Sequence, residues 1–401
     1  MIIQKVPVLM YHSVGIQNSK WIWNFLTIPY QIFEDHLRML IKRRFNTIDL
    51  VQLYDYVSSG KSIPNNSVVL TFDDGYLDNW VYAYPLLKKY GFKGTIFVNP
   101  EFVDPTQEDR PNLEDVWAGR AKEAELTPSG FLSWREMREM EKTGVMDIQS
   151  HAMTHTWYFT GPEIVDFRHP GDSYVWMNWN KDVSRKYRYL NENQDDPIEF
   201  GTSVYRHDKS LSSKRYYPDK SLDHFLTQYV KLNGGKEFFE DISWRGKLFQ
   251  IVEEYKRKNA LNDKFESELD QRNRLEWELK ESKIILEKEL GKKISFLCWP
   301  GGGYLDHTRS LANKYYVAST LASWEQTKRG NIPGDDPKDI KRMGPPYIEG
   351  NEKIPLRYLG GFYLYLYITE FKGDLRLRLL RKLLKGLSII RYRYFNRMSS
   401  C

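Results

Sequence analysis

The sequence predicts an α/β fold in which parallel β/α units form a barrel. Short β-branched runs alternate with helical periods up to about residue 155, and the same rhythm resumes at 294–299 and 316–319. Strand, helix, strand in regular succession is typical of parallel sheets. Active sites of such barrels lie at the carboxyl ends of the strands, so functional residues are expected directly after each strand.

The first units are a strand at 6–11 followed by a helix, and a buried strand at 68–72 followed by a second helix. Their helical spacing is carried by Phe33, Leu37, Leu40, Ile41, Leu86 and Leu87. A third strand is predicted at 95–98. Ser133 and Glu136 form a capping-box pattern that opens another helix before a strand at 146–149.

The rhythm divides the chain into four predicted parts. Residues 1–155 and 246–350 form the two parts of the barrel, 156–245 form an insertion lobe rich in aromatic residues, and 351–401 form a tail. In the insertion, Trp157, Trp176 and Trp179 are interpreted either as stacking platforms for sugar rings or as the core of a small lobe. The sequence alone leaves both interpretations open.

The net charge of +6 is located in the tail. Residues 372–401 contain nine basic residues and one acid, which makes them +8 and leaves residues 1–371 at −2. A mildly acidic body argues against a nucleic-acid-binding groove. Two cysteines, Cys298 and Cys401, are too few for a disulfide framework, so any metal is expected on His and carboxylate ligands.

The tail predicts a basic amphipathic helix. Leu375, Leu379, Leu380, Leu383, Leu387 and Ile390 recur at helical spacing beside basic residues. Such a helix is typical of an anchor on an anionic membrane surface, and packing on the barrel is the alternative. With no visible secretory signal and no apolar run of spanning length, we expect a cytoplasmic protein, peripheral at the inner face of the membrane.

Polar residues of one kind follow three predicted strands. Asp73 and Asp74 follow the strand at 68–72, His151 and His155 follow the strand at 146–149, and His12 follows the first strand. One carboxylate with two His is an open catalytic metal site, and it also matches a non-haem iron site. Alone, Asp-Asp-Gly is typical of an exposed turn and HxxxH of a helix face. Their shared position at strand ends favours a site.

The runs 71–75 (TFDDG) and 150–155 (SHAMTH) resemble the first two motifs of the polysaccharide deacetylases, the NodB-homology carbohydrate esterases of family 4. The resemblance covers about residues 5–155 and 292–350. It is closest to the circularly rearranged subgroup with exopolysaccharide (poly-N-acetylglucosamine) deacetylases, because 7–12 (PVLMYH) opens the domain. The resemblance implies a distorted (β/α)7 TIM-like barrel.

The resemblance also implies roles for individual residues. Asp73 is expected as general base, and Asp74, His151 and His155 as ligands of a divalent metal, zinc in most of the family. His12 is expected as the general acid that protonates the leaving amine. Amide hydrolysis needs a deprotonated water, a stabilised oxyanion and a protonated leaving nitrogen, which agrees with this set.

The run 299–304 (WPGGGY) resembles the third family motif, in which a backbone N–H after the proline helps to hold the oxyanion. The implied oxyanion and substrate residues are Pro300, Gly301, Gly302 and Tyr304. The usual arginine of this motif is absent. Arg342 is the candidate replacement, paired with Asp73, and an ordinary surface arginine is the alternative.

The remaining histidines carry less weight. His36 is expected on a helix surface, His169, His207 and His224 on the surface of the insertion, and His307 at the rim of the active site.

Taken together, the residues and the resemblance predict a metal-dependent deacetylase that removes N-acetyl groups from a glycan or glycan precursor. An O-acetyl esterase of the same superfamily is a second hypothesis, because the site does not distinguish an ester from an amide. A non-catalytic glycan-binding barrel is the third.

Overall fold

The computed structural model describes residues 3–18, 21, 23–188, 197–321, 330–348 and 357–398, with side chains of the last helix described up to residue 390. Cys401 and the side chains of Arg391, Arg393 and Arg397 in the predicted tail lie outside these ranges.

The described strands are β1 (Val8–Tyr11), β2 (Ser13–Gly15), β3 (Thr27–Pro29), β4 (Asn46–Thr47), β5 (Ser67–Phe72), β6 (Gly94–Val98), β7 (Met146–Ser150), β8 (Trp157–Phe167), β9 (Ser203–Lys209), β10 (Tyr216–Tyr217), β11 (Lys264–Phe265), β12 (Phe296–Leu297), β13 (Ala318–Thr320), β14 (Asp339–Ile340), β15 (Tyr347–Ile348) and β16 (Arg357–Tyr358). The helices are α1 (Tyr30–Lys42), α2 (Leu50–Ser59), α3 (Tyr84–Tyr90), α4 (Leu113–Trp117), α5 (Trp134–Thr143), α6 (Val175–Lys181), α7 (Lys220–Leu232), α8 (Trp244–Lys258), α9 (Glu268–Leu290), α10 (Asp306–Ala312), α11 (Gly361–Phe371) and α12 (Arg378–Met398).

Seven parallel strands form a nearly closed barrel in the order β1, β5, β6, β7, β12, β13, β14, with β4 beside β5. A parallel bridge between Leu9 and Met343 brings the chain after β14 back to β1. The predicted TIM-like α/β barrel is therefore confirmed. β14 has no counterpart among the predicted strands, because two residues are too few to show a period.

The barrel interior is filled by apolar side chains, one from each of several strands. Val8, Val69, Phe97, Phe296, Ala318 and Ile340 belong to one buried cluster. Leu70, the neighbour of Val69, belongs instead to the cluster under the outer helices. This alternation is the pleat of β5, which directs residues 69, 71 and 73 toward the barrel axis. These side chains pack the barrel interior, as is usual for such barrels, whose sites lie at the strand ends.

The cap of α5 agrees with the sequence pattern. The Ser133 side chain accepts a hydrogen bond from the Glu136 N–H, and the Glu136 carboxylate accepts one from the Ser133 N–H. Gly144 ends the helix in the left-handed conformation. Local capping chemistry therefore decides where this helix begins and ends.

The insertion is built on a hairpin of β8 and β9 with α6, α7 and α8 around it. Leu248 and Val252 of α8 share a buried cluster with Phe167, Leu222 and Leu226. By packing, α8 goes with the insertion lobe, although the sequence analysis placed its residues in the second part of the barrel. Leu275, Leu279 and Leu286 of α9 belong to the barrel core instead. The helices α8 and α9 therefore pack on different cores, although they are neighbours in the sequence.

His36 corrects an expectation. It is fully buried, where the sequence analysis expected a helix-surface residue, because α11 packs against α1. A Cβ on Gly361 would lie 2.3 Å from the Asp35 carbonyl oxygen, so the close approach of α11 requires glycine there. The His36 Nε2–H donates to the Leu359 carbonyl at 2.7 Å, and Nδ1 accepts from the Tyr11 hydroxyl at 3.0 Å.

Up to residue 390, α12 packs on the protein through part of its surface. Leu384 and Ile389 contact the buried cluster of Ile348, Leu359 and Tyr363. The apolar stripe of the predicted amphipathic helix remains in contact with solvent: Leu375, Leu379, Leu380, Leu383, Leu387 and Ile390 are each 40–69% exposed. Among the helices of the described residues, none combines the length and apolarity needed to cross a bilayer.

Candidate active site

Polar side chains from several strand ends line one cavity of about 370 Å³ at the carboxyl end of the barrel. The sequence-predicted residues on its wall are His12, Asp73, Asp74, His151, His155, Gly301, Gly302 and Arg342. Apolar and aromatic residues complete it, among them Met10, Trp23, Phe25, Leu26, Trp157, Trp299 and Leu321. A mostly apolar cavity with a few convergent polar groups is the usual form of a small-molecule site.

Two adjacent carboxylates enter this cavity because the backbone turns sharply after β5. Asp73 continues the inward face of the strand. Asp74 has a φ of 74°, in the left-handed region that non-glycine residues avoid. Ala152 and His155, in the loop after β7, also have positive φ values, of 57° and 40°. Strain of this kind concentrates where the fold must aim functional side chains.

Asp74, His151 and His155 form a compact triad. Asp74 Oδ1 lies 3.1 Å from His151 Nε2 and 3.3 Å from His155 Nε2, and one ligand atom from each residue lies within 4.8 Å of the others. All three residues are buried. Asp74 Oδ1 accepts no hydrogen bond among the described residues, and a buried carboxylate oxygen without a donor is costly. A cation would satisfy it.

The orientation of His151 suits a metal ligand. Its Nδ1–H donates to the Cys298 carbonyl oxygen at 2.8 Å, which leaves the Nε2 lone pair directed at the triad. Metal-bound histidines usually make such a bond from the other ring nitrogen. The residues present therefore fit a divalent metal with two nitrogen ligands and one oxygen ligand.

Asp73 is held by a two-point ion pair with Arg342. Arg342 Nη1 lies 2.6 Å from Asp73 Oδ1, and Nη2 lies 2.8 Å from Oδ2. Nη2 also donates to Cys298 Sγ at 3.0 Å. Asp73, His151 and Cys298 form a second cluster of metal-ligand type, but the guanidinium cation already contacts two of its members. The triad with Asp74 is therefore the better metal site.

Arg342 reaches Asp73 because the segment after β14 closes the barrel against β1. The Met343 N–H donates to the Val8 carbonyl and the Met10 N–H to the Met343 carbonyl, both at 2.9 Å. This pairing places Arg342 over the barrel mouth, where it is 7% exposed. The alternative of a surface arginine does not apply.

His12 lies at the edge of the same group of charges. Its Nε2 is 3.8 Å from Asp73 Oδ2, and its side chain is 22% exposed. The Asn79 side-chain amide donates to the His12 carbonyl oxygen at 3.1 Å and so fixes the backbone after β1. The imidazole therefore faces both Asp73 and the opening of the cavity.

The charges of the site are mutually stabilised. Burial alone would raise the pKa of Asp73, but Arg342 and His12 outweigh it and hold the pKa below its usual value. Burial likewise opposes ionisation of Asp74, but the adjacent imidazoles of His151 and His155 outweigh it and hold the pKa of Asp74 well below the usual value. Both carboxylates are thus ionised at neutral pH.

The glycine-rich turn contributes part of the expected oxyanion site. Gly301 and Gly302 line the cavity, and the Gly302 N–H already donates to the Trp299 carbonyl at 2.9 Å. The Gly301 N–H makes no backbone hydrogen bond among the described residues. Pro300 is buried outside the cavity lining, and the Tyr304 ring packs on Trp299 with centroids 4.9 Å apart.

Two of the three glycines of this turn, Gly301 and Gly303, lie against the side chain of Lys209. A Cβ on Gly301 would lie 2.5 Å from Lys209 Cε, and a Cβ on Gly303 would lie 2.7 Å from Lys209 Cδ. Lys209 ends β9 of the insertion. A side chain at either position would therefore require the Lys209 side chain to move, and Gly301 also has a positive φ of 56°.

Charged groups that the sequence analysis did not identify hold the loop between His151 and His155. Lys186, from a 3-10 helix of the insertion, is 1% exposed, lies 2.8 Å from Glu101 Oε2 and donates to the Thr154 carbonyl. The Thr154 hydroxyl donates to Glu278 Oε2 at 2.7 Å. No local pattern marks these residues, because their partners lie far away in the sequence.

The sequence analysis interpreted the tryptophans of the insertion either as stacking platforms for sugar rings or as the core of a small lobe, and the structure places them differently. Trp176 and Trp179 are buried in a small cluster, which is the core interpretation. Trp157 is half-buried and lines the cavity together with Trp23. Trp23 lies in the segment before β3, outside every motif of the sequence analysis.

The other histidines lie apart from the metal triad. His224 and His307 are exposed, as is usual for surface residues, and His169 is half-buried with Nε2 3.8 Å from Asp166. His207 is half-buried and lines a neighbouring cavity beside Trp176.

Comparison with known proteins agrees with this geometry. Residues 60–202 match the family model described as polysaccharide deacetylase, which confirms the resemblance that the motifs predicted. YxkH of Bacillus subtilis, which carries the name of a polysaccharide deacetylase, is 32% identical over 151 residues, covering 38% of this chain and 43% of that protein.

A poly-β-1,6-N-acetyl-D-glucosamine N-deacetylase of Staphylococcus aureus is 29% identical over 136 residues, covering 33% of this chain and 39% of that protein. The match thus spans less than half the length of either curated relative. A solved de-N-acetylase from Aggregatibacter actinomycetemcomitans has a TM-score of 0.49 at 19% identity, covering 84% of this chain and 94% of that chain.

Proposed function

We propose that this chain, whose residues 60–202 match the polysaccharide deacetylase family, hydrolyses N-acetyl groups of a glycan. The observation that carries the proposal is the shared cavity of the Asp73–Arg342 pair and the Asp74–His151–His155 triad. A buried, ionised carboxylate beside a set of metal ligands can deprotonate a water molecule and so activate it as a nucleophile. Poly-N-acetylglucosamine is the first glycan to test, since relatives are named for it.

Asp74, His151 and His155 would hold a divalent metal, and we propose zinc because two of the three ligands are imidazoles. When bound, such a metal supplies Lewis acidity toward the amide carbonyl and water. The protein's own part is to keep Asp74 ionised and to fix His151 through its hydrogen bond to the Cys298 carbonyl.

Asp73 is the proposed general base. The two hydrogen bonds from Arg342 orient its carboxylate and keep it ionised, so that it can accept a proton from the attacking water. The new carbon–oxygen bond then forms at the acetyl carbon. The Gly301 N–H, at the cavity wall, is the proposed donor for the oxygen that gains charge.

His12 is the proposed general acid. Its Nε2 lies 3.8 Å from Asp73 Oδ2, and its side chain is partly exposed at the cavity, where the leaving nitrogen would lie. The imidazolium gives its proton to the nitrogen as the carbon–nitrogen bond breaks, and acetate and a free amine are released. Separate groups thus accept and donate the proton on the two sides of the amide.

The test compares acetate release from N-acetylglucosamine oligomers by the metal-loaded wild type and Asp73→Asn. We expect the substitution to lower kcat by at least about a hundredfold with the metal still bound, because general-base catalysis contributes about 10²–10⁴. Asp109→Asn, at an exposed ion pair, is the matched control. Full activity of Asp73→Asn would refute the base assignment, and acetate release from esters but not from amides would favour the esterase.

We also propose that the chain works in the cytoplasm at the inner face of the membrane. The support is α12, which carries an exposed apolar stripe beside basic residues. Anionic lipid attracts such a helix by about 1 kcal/mol per basic residue near the surface. The anchor would bring the barrel to nascent or lipid-linked glycan.

A further inference from the structure

A basic cavity lies at the end of the barrel opposite the candidate active site. It has a volume of about 490 Å³ and lies between the C-terminal ends of α1 and α11. Its wall includes Asn66, the residue directly before β5, whereas Asp73 of the candidate active site directly follows that strand. A strand of six residues is about 20 Å long, so the two sites are separate.

The cavity carries positive charge that is not paired with acids. Four cations line it: Lys42, Arg43, Arg44 and Lys372. None of the four forms an ion pair with a described carboxylate, although Arg38, one turn earlier on α1, lies 3.1 Å from Glu34. Among the described residues the lining includes one acid, Asp374, and its Oδ1 already accepts a hydrogen bond from Arg376 Nε at 2.9 Å.

Stabilisation of helix ends does not account for this number of cations. Both α1 and α11 end at the cavity, and the C-terminal end of a helix carries about half a negative charge. Two such ends offset about one of the four cations. The remaining like charges repel one another, and an anion bound between them would remove that repulsion.

Arg44 stands where a helix usually has glycine. It follows α1 with a φ of 56°; its N–H donates to the Ile41 carbonyl, and the Phe45 N–H donates to the Leu40 carbonyl, both at 2.9 Å. This hydrogen-bond pattern favours glycine at the left-handed position, and α2, α3, α5 and α9 all end at a glycine in that conformation. An arginine there costs stability, so the needs of the fold do not explain it.

The strained residues of the protein fall into two groups. The described chain has five non-glycine residues with a positive φ, and two of them, Arg44 and Asn66, line the basic cavity. The other three, Asp74, Ala152 and His155, lie in the loops of the candidate active site. Backbone strain of this kind is typical of functional sites, so the basic cavity shares this feature with the active site.

Neighbouring side chains hold the cations toward the cavity. The Arg43 guanidinium lies 4.0 Å from the centroid of the Tyr365 ring, and a stacked guanidinium keeps its N–H donors in its own plane, available to a ligand. Lys372 Nζ donates to Asn66 Oδ1 at 3.2 Å and lies 5.4 Å from the centroid of the Phe45 ring. Lys372 is half-buried, and burial lowers the pKa of its ammonium with no carboxylate to oppose the effect.

We propose that this cavity binds a phosphomonoester group, which carries about −1.5 to −2 charges at neutral pH. The guanidinium groups of Arg43 and Arg44 match phosphate oxygens in geometry, and the ammonium groups of Lys42 and Lys372 add charge. A single carboxylate would leave most of the positive charge uncompensated. The site is independent of the proposed hydrolysis, because it lies at the other end of the barrel.

Calorimetry on the full chain with glycerol 3-phosphate as the probe measures the site. We expect the double variant Arg43→Gln/Arg44→Gln to bind about a hundredfold more weakly than the wild type, since each charge-assisted hydrogen bond contributes about tenfold. Arg257→Gln, at an exposed arginine of α8, is the matched control and should bind like the wild type. The proposal is overturned if the wild type does not bind the probe, or if the double variant and the control weaken equally.

Arg44→Gly separates a role in ligand binding from a role in the fold. Without ligand, we expect this variant to melt at a higher temperature than the wild type, because glycine adopts the left-handed conformation without strain. Glycerol 3-phosphate should raise the melting temperature of the wild type, since it binds the folded state, and should raise that of Arg44→Gly less. An undiminished response to the probe in Arg44→Gly would contradict the site.

A phosphomonoester reaches the cavity either as a lipid headgroup or as a soluble molecule, and vesicles distinguish the two sources. The vesicles contain phosphatidylcholine with either phosphatidic acid, a phosphomonoester, or phosphatidylglycerol, a phosphodiester, at equal surface charge. A preference for phosphatidic acid that the double variant loses identifies a lipid headgroup, because α12 is intact in that variant. Loss of glycerol 3-phosphate binding with unchanged vesicle binding identifies a soluble ligand. Unchanged binding of both probes by the double variant would overturn the proposal.

These outcomes are distinct from those of the proposed function. Acetate release should be the same in the double variant and the wild type, because the cavity is remote from Asp73 and the metal triad. Phosphomonoester binding without acetate release from any acetylated glycan would keep this site and refute the deacetylase.

Discussion

The guanidinium of Arg342 donates to both carboxylate oxygens of Asp73, at 2.6 Å and 2.8 Å, across 269 residues of sequence. The pair joins the end of β5 to the segment that closes the barrel. It fixes the plane of the Asp73 carboxylate as well as its charge, which a lysine cannot do with a single ammonium group.

Arg342→Lys should lower kcat/KM by about a hundredfold, because it keeps the charge but loses the two-point orientation of the base. Arg342→Met should also lower the free energy of unfolding by about 3–5 kcal/mol, since it leaves Asp73 ionised and unpaired in the interior. Acetate release and urea unfolding measure the two effects. Arg138→Met, at an exposed ion pair, is the control. Wild-type rates in Arg342→Lys would show that orientation is unimportant.

Removing the metal should inactivate the protein and lower its melting temperature, because a ligand that binds only the folded state stabilises it. Adding zinc should restore both in the wild type. His155→Gln should respond to neither the chelator nor zinc, whereas the exposed His224→Gln should behave like the wild type. Differential scanning calorimetry with metal analysis makes the comparison. Stoichiometric zinc in His155→Gln would place the metal elsewhere.

Lys186→Met should lower the free energy of unfolding by about 3–5 kcal/mol, because Glu101 loses its buried partner. It should also weaken metal binding, since the lysine holds the Thr154 carbonyl between His151 and His155. The double variant Lys186→Met/Glu101→Gln should recover part of the stability but not the metal affinity. Recovery of both in the double variant would show that Lys186 acts only through charge.

His36 makes stability depend on pH. Burial lowers the pKa of His36 from 6.5 to about 4, so the folded state keeps it neutral while the unfolded state binds a proton below about pH 6.5. Its contribution is complete above pH 6.5 and is lost as the pH falls toward 4, a change of about 3 kcal/mol. His36→Gln should remove this part of the pH dependence, and His224→Gln should not. If the free energy of unfolding of His36→Gln and of the wild type changed with pH in the same way, this role of His36 would be refuted.

Replacing Leu379, Leu383 and Leu387 by Glu should release the protein from vesicles that contain anionic lipid, because it removes the exposed apolar stripe and reduces the positive charge of the tail. Their exposure, 58–69%, makes unfolding of the barrel an unexpected result. Vesicle cosedimentation measures membrane binding, and turnover of a soluble oligosaccharide shows that the barrel is still folded. Undiminished binding by the triple variant would rule out α12 as the anchor.

Much of the fold was predictable because its signals are local. The strand at 68–72, the capped helix after Ser133 and the turn at Gly144 each follow from neighbouring residues. The expectation for His36 was wrong because its helix face looked amphipathic until α11 covered it. The sequence analysis assigned residues from 246 onward to the barrel, but α8 packs on the insertion and α9 on the barrel core, a division that only tertiary contacts reveal.

The residues of the candidate site also fall into two groups, those with a local signal in the sequence and those without one. Asp73, Asp74, His151, His155 and His12 were predicted to lie together because they follow strands, and parallel strands bring their carboxyl ends together; all five line one cavity. Cys298 also stands directly after a strand, β12, so the search at strand ends could have identified it as a neighbour of the site. Lys186, Glu278 and Trp23 carry no such signal, because their partners in the loop that holds Thr154 and His155 are 32, 124 and 132 residues away in the sequence.

The sequence by itself determined the barrel and the residues at its strand ends. Short segments of the sequence are enough to show the hydrophobic period of each strand or helix and the order in which they follow one another. The tertiary structure decided what surrounds those residues. It paired Arg342 with Asp73, placed Lys186 against the loop between His151 and His155, and opened an aromatic cavity beside the candidate site. These contacts join residues distant in the chain, and only packing determines which of them meet.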